Sequence, residues 1–455
     1  MTEPIGTLVI LGAGGDLSKR LLLPGVGQVL AGGRGRAFQL IGVGQDPMTD
    51  EQWRERVADS FSAGGASGDR VAEVMRESAY FQADVTDVGD LKRILGACTG
   101  VPAIYFALPP AVTIAACAAL EEVDLPEGTV LALEKPFGAD LQSAQSLNRQ
   151  LLRLVPENQV HRVDHFLGKS TVINLLGLRF ANRIFEQVWN RDNIEKIEII
   201  FDEQLALEGR AGYYDGAGAL VDMIQSHLLL VMALVTMEPP SSVDADDLRG
   251  AMAQVLRATE VRDAVSSSRR AQYTAGSIGE RAIPAYVAEP GIAPDSSTET
   301  LAEVTVEVEN WRWAGVPILL RSGKALSDLK KEVIVRFRAV PHLPSGLAGR
   351  EGPVELRISL SPDEIALDVM MNGEGDPFVL DRATLAATFG AGSLGPYGEV
   401  LHGILTADPT LSVRADAVEQ CWRIVAPVLA AWTDGAVPLD HYAAGTTGPA
   451  GWSQP

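Results

Sequence analysis

At 455 residues the chain is long enough for two or three domains with cores of their own, which excludes a peptide or a disulfide-stapled scaffold. Its 59 acidic and 38 basic residues leave a net charge of −21, a field that repels phosphate backbones and anionic lipid. Nucleic acid and membrane surfaces are therefore not expected as partners, and 46% hydrophobic content excludes a disordered chain.

From Thr7 the sequence reads TLVILGAGGDLSKRLLLPGV, a β-rich run, a glycine turn and then a helix-period segment with Leu17, Leu21 and Leu22 on one face. A second strand over Phe38–Val43 and a helix around Glu51–Phe61 follow. The runs Val101–Leu108 and Thr129–Leu133 add further strands separated by a helix. Strands alternating with helices predict a Rossmann-like parallel sheet buried on both faces, assigned to residues 1–164. Residues 165–455 change character. Helical patterns cover Val172–Leu176 and Leu220–Thr236, with a strand at Ile194–Phe201 between them. Strand-like runs then occupy Leu301–Val308, Val316–Leu320, Glu332–Phe337, Val354–Leu360 and Glu364–Met370, several alternating at period two. This predicts an α+β domain with a large, mainly antiparallel sheet. Val418–Trp432 reads as a helix, and the Gly/Thr/Pro-rich tail from Ala443 is expected to fray.

The apolar stretch Leu228–Val235 is far short of the roughly 18 residues of a membrane span and reads as a buried helix. The Met-Thr-Glu-Pro start lacks the basic residues and cleavage site of a signal peptide. Cys98, Cys117 and Cys421 lie far apart with no CxxC pair, which argues against zinc and disulfides and for a cytoplasmic protein.

Three constellations carry chemistry. Gly12-Ala-Gly-Gly15-Asp16-Leu17 lets a backbone approach a pyrophosphate at a helix N-terminus, although Leu17 breaks the strict GxGxxG and a turn without a ligand fits too. In Arg162-Val-Asp164-His165-Phe-Leu-Gly-Lys169, the four-residue spacing of His165 and Lys169 puts both on one face of a helix, where they can grip an anion; a solvated helix end is the alternative. Asp222 and His227, five apart, interrupt an otherwise apolar helix, so each needs a partner or a task.

In order, GxxGDL, EKPFG (134–138), RVDHFLGK (162–169), FANRIFEQVWN (180–190), EGRAGYYD (208–215), DMIQSH (222–227) and RSGKAL (321–326) resemble the glucose-6-phosphate dehydrogenase family from about residue 7 to Trp432. The resemblance implies oxidation of glucose 6-phosphate to 6-phosphogluconolactone with NADP or NAD, the first step of the oxidative pentose phosphate pathway. It makes His227 the general base and Asp164 its partner. His165 and Lys169 match residues that bind the sugar phosphate or sit beside it, and Lys135 stands between sugar and cofactor. Glu203, Asp222 and Lys324 become sugar contacts. Gly12, Gly15, Asp16, Leu17 and Gln45 would line the cofactor site. A cis Lys135–Pro136 bond and a homodimer or homotetramer built through the antiparallel sheet are further implications.

The sequence departs from the family at Phe166 (usually Tyr), at Ser170 (usually Glu) and at Leu329, where some members are basic. Most consequentially, Gln45-Asp46 stands where NADP-preferring members carry an arginine, so a ribose 2′-OH is acceptable there and both cofactors stay open; Lys19 and Arg20 are other candidate cations. Two other readings are a sugar oxidoreductase of the glucose–fructose oxidoreductase type and a non-catalytic sugar-phosphate-binding relative.

Overall fold

The computed structural model describes residues 4–33, 36–209, 211–349, 352–388 and 392–452. Contacts divide the chain into two compact units. The first comprises Met1–Ser170, Pro240–Ala253 and Ala391–Glu419, and the second Thr171–Pro239, Gln254–Gly390 and Gln420–Pro455.

The first unit holds strands β1 (Ile5–Leu11), β2 (Gln39–Gly44), β3 (Ala79–Gln82), β4 (Val101–Phe106), β5 (Val130–Glu134) and β6 (Val160–Val163). They form a parallel sheet in the order β6-β5-β4-β1-β2-β3, edged by the antiparallel pair Ser412–Val413. Both faces are covered, which explains the unbroken apolar runs. Leu8 and Ile10 pack on one face with Val26, Trp53 and Phe61, while Val9 and Leu11 pack on the other with Leu91, Cys117 and Leu151. Strand order reverses between β1 and β4, so their carboxyl ends frame the crevice where doubly wound sheets bind ligands. Two glycines let elements approach closely. Any Cβ on Gly42 of β2 would come 2.7 Å from the Trp53 ring, and one on Gly168 would come 2.5 Å from the Pro396 carbonyl oxygen.

In the second unit the main sheet runs Val379–Thr388, Glu364–Asn372, Glu355–Ser359, Lys331–Phe337, Ile194–Asp202, Ile318–Gly323, Leu301–Val308, Ser268–Thr274, Leu439–Ala443. Neighbours are mostly antiparallel. Ile194–Asp202 pairs in parallel with Ile318–Gly323, and Ser268–Thr274 with Leu439–Ala443. The strand expected at Val316–Leu320 starts later, because Pro317 has no N–H for the ladder, and it runs on to Gly323. As far as Trp452 the tail is packed rather than frayed. Leu439–Ala443 is a strand, the Tyr442 hydroxyl donates to the Lys324 carbonyl at 2.7 Å, and Trp452 is buried. Every residue of helix Leu229–Thr236 is buried, as a core helix requires. It completes the apolar stretch Ala211–Thr236, long enough to cross a membrane by composition, whose most apolar window is 83% buried inside the protein.

Arg162 is fully buried in the first unit. Its guanidinium is gripped by Glu157 at 2.8 Å and Asn148 at 3.0 Å, so it is a structural cation. Glu157→Ala leaves that charge without its counter-ion and should cost about 3–5 kcal/mol, seen as an earlier urea midpoint of the first unfolding transition; a loss below about 1 kcal/mol would mean that water reaches Arg162.

Candidate active site

β1 ends at Leu11 and the chain turns at Gly12 with φ 85°, where an added Cβ would lie 2.2 Å from the Ala107 carbonyl oxygen. Only glycine permits that approach. The Gly12 and Ala13 amides both donate to the Val43 carbonyl at 2.9 Å, tying the turn to β2. An added Cβ on Gly14 would meet nothing within 4 Å, so the crest of the turn faces open space, a cradle suited to a pyrophosphate. Beyond Gly15, Asp16 pairs with Arg20 at 3.3 Å, while Leu17, at the place of a third glycine, packs on the sheet core. The next residues, Ser18–Leu22, form a π-helical turn. Gln45 and Asp46 follow β2 with exposed side chains; their carbonyls accept from Gln82 Nε2 at 3.0 Å and the Tyr80 hydroxyl at 2.9 Å. The guanidinium of Arg56, which the sequence reading passed over, donates to the Gly14 carbonyl at 2.9 Å.

β5 delivers Glu134 and Lys135, and the Lys135–Pro136 peptide is cis. Burial pushes the Glu134 carboxyl up, opposed by hydrogen bonds from Tyr105 and Tyr397 and by the Lys135 charge. Tyr397 also stacks on His165, with centroids 5.5 Å apart and planes 10° from parallel. Nothing local in the sequence links residues 165 and 397. The expected helix over His165 and Lys169 is not there: after β6 the chain makes consecutive turns, and the helix starts at Ser170. In those turns the Phe166 amide donates to Asp164 Oδ1 at 2.8 Å, and the Lys169 ammonium lies 4.4 Å from the centroid of the Phe166 ring. Phe166 thus offers Lys169 an aromatic face and no hydroxyl.

In the second unit helix Ala211–Ala219 breaks at Gly218 (φ 63°), and the next segment, Leu220–Leu228, is a π-helix. Five residues apart, Asp222 and His227 would lie on opposing sides of an α-helix, but i→i+5 bonding brings them towards the same side. His227 is buried, and Asp222 Oδ1 accepts from the Tyr213 hydroxyl at 3.2 Å. Glu299 sets the break. Its carboxylate accepts from the Leu220 amide at 3.0 Å and occupies the space that a Cβ on Gly218 would need. The ammonium of Lys324 binds Glu203 at 2.8 Å, Lys331 adds a second contact at 3.6 Å, and Lys324 also lies over the Tyr214 ring. Leu329 is exposed, and Arg210 of the EGRAGYYD block lies outside the described residues.

The glucose-6-phosphate dehydrogenase NAD-binding domain matches residues 9–174, and the C-terminal domain of the same family matches 176–454. The chain belongs to the glucose-6-phosphate dehydrogenase family. It is 38% identical to the glucose-6-phosphate 1-dehydrogenase of Treponema pallidum, over 97% of this chain and 92% of that one. The crystal structure of glucose-6-phosphate 1-dehydrogenase from Mycobacterium avium superposes with a TM-score of 0.86 at 35% identity, covering 98% of this chain and 96% of that one. A glucose-6-phosphate dehydrogenase in complex with glucose 6-phosphate superposes with a TM-score of 0.90 at 29% identity, over 99% of this chain and 97% of that one.

Within this member of the glucose-6-phosphate dehydrogenase family, Tyr397, Glu299 and Arg56 carried no local signal in the sequence, whereas Tyr214 falls inside the EGRAGYYD block. Glu299 has a consequence for stability. Burial pushes its carboxyl up to about 7, so the folded chain binds a proton that the unfolded chain has released between the ordinary carboxylate range and neutrality. Stability from this group is present below that window and falls as pH rises through it, by about 3 kcal/mol. Melting curves should therefore show Glu299→Gln gaining on the parent between pH 4.5 and 7.5; a constant difference would mean that Glu299 stays ionised.

Proposed function

We infer that the chain oxidises glucose 6-phosphate to 6-phosphogluconolactone, with hydride transfer to NADP or NAD. The observation that carries this reading is the match of both family domains over nearly the whole chain, with the burial of His227 on its π-turn. The two alternative readings, another sugar oxidoreductase and a non-catalytic relative, are not favoured.

His227 takes the proton from the C1 hydroxyl, and burial keeps water from competing for that base. Asp164 holds the other ring nitrogen, fixes the tautomer and stabilises the imidazolium. His165 and Lys169 hold the phosphate, with Tyr397 setting the plane of the His165 ring. Glu203 and Asp222 accept from sugar hydroxyls, and Lys324 orients Glu203 as well as the sugar. Gly12, Gly15, Asp16, Leu17 and Gln45 hold the dinucleotide, with Lys135 between it and the sugar. When bound, the nicotinamide supplies the acceptor for the hydride from C1.

The protein acts as a cytoplasmic homodimer or homotetramer. Exposed Met371, Val379 and Leu385 on the outer strands Glu364–Asn372 and Val379–Thr388 support assembly through the large sheet.

Reduction followed at 340 nm, with glucose 6-phosphate and each dinucleotide separately, tests the reading; no turnover with either overturns it. His227→Asn should lower kcat by about 10²-fold or more with KM little changed, and a kcat within about threefold of the parent would remove His227 as base. Lys169→Ala should raise KM for glucose 6-phosphate much more than for free glucose, because a charge-assisted bond to phosphate is lost. Equal effects on the two sugars would move the phosphate elsewhere.

A further inference from the structure

We propose that Arg56 is the cation that receives the 2′-phosphate of NADP in this chain, and that Arg56 and Asp46 together let one site take both dinucleotides. The proposal rests on the dinucleotide reading above. In a Rossmann-type fold the residues after the second strand meet the adenosine ribose, where a carboxylate suits a 2′-OH and a nearby arginine suits a 2′-phosphate. Here that position offers neutral Gln45 and acidic Asp46, both exposed, so the strand end supplies no cation.

The cation comes from the following helix. Asp50–Ala63 is fixed at its start by a capping box between Thr49 and Gln52. It is seated on β2 by Trp53, whose ring fills the space over Gly42, and by buried Val57 and Phe61. That seat directs Arg56 to the crest of the glycine turn, where Nη1 donates to the Gly14 carbonyl at 2.9 Å. One N–H is used and no carboxylate lies within ion-pair distance of Arg56 among the described residues, which leaves most of a planar fork available for a phosphate. Asp46 and Arg56 also flank one group: the Tyr80 hydroxyl, pushed up chiefly by burial, is raised further by Asp46 and lowered by Arg56. Of the nearby cations Lys19 is exposed on the turn that follows Gly15, whereas two arginines are engaged in ion pairs. Arg20 pairs with Asp16 at 3.3 Å, and Arg54 with Asp50 at 3.8 Å.

The test is calorimetric binding to the whole enzyme without sugar, using NADP, NAD, 2′,5′-ADP and 5′-AMP. Arg56→Gln should weaken NADP and 2′,5′-ADP by about 10-fold or more while NAD and 5′-AMP change by less than about threefold. Asp46→Asn should tighten 2′,5′-ADP severalfold by removing a repulsive charge. An Arg56→Gln variant whose preference between NADP and NAD is unchanged overturns the proposal, whether both affinities hold or both fall. Equal loss of both would instead make Arg56 a brace for Gly14. If the parent binds neither dinucleotide, the dinucleotide reading falls and takes the proposal with it.

Discussion

The carboxylate of Glu299 accepting the Leu220 amide is the contact on which the second unit's chemistry depends. It sits where Gly218 breaks the preceding helix, and the break restarts the chain in a π-helical register. A continuous α-helix through Leu228 would turn Asp222 and His227 away from each other. The register costs hydrogen-bond quality, and it persists because the apolar segment beyond it, Leu229–Thr236, is buried throughout and cannot rotate to relax it. A buried acid with a raised pKa is thus the cost of holding Asp222 and His227 towards one side of a helix.

A chain of net charge −21 that takes an anionic sugar must concentrate cations locally. The structure divides its basic residues by burial. Arg162 and Arg321 are almost wholly buried and matched by carboxylates: Glu157 for the first, and Asp202 and Glu303 for the second. Lys135, Lys169 and Lys324 are half-buried at strand ends and turns, and Arg56 is half-buried on the helix that follows β2, where a charge stays in touch with water and can still be aimed. Aromatic faces do part of the aiming, Phe166 beneath Lys169 and Tyr214 beneath Lys324.

The sequence exposed what short-range pattern encodes. β1, β2 and β4 were legible as apolar runs because both faces of their sheet are buried, and Leu301–Val308 because it alternates. Ser268–Thr274 and Val379–Thr388 were not: the first carries Arg269 and Arg270 side by side, and the second is largely exposed, so neither shows a hydrophobic period. The spacing of His165 and Lys169 suggested a helix, yet Gly168 must pass so close to Pro396 that the backbone makes turns instead. Contacts between distant positions, such as Tyr397 on His165, have no trace in local sequence, and Glu299 looked like any surface glutamate until Gly218 left room for it.

The order in which the ribosome delivers the strands matters as well. The sheet of the first unit gains an edge strand only when Ser412–Val413 emerges, and helix Pro396–Leu405 must be made before it can cover Leu23–Ala31. The second sheet waits longer still, since Ser268–Thr274 has an unpaired edge until Leu439–Ala443 arrives. Neither unit can therefore close during synthesis, and each holds an open β-edge for most of translation. A chain cut short before Leu439 would leave the Ser268–Thr274 edge unpaired, and an unpaired edge is a template for association with other chains.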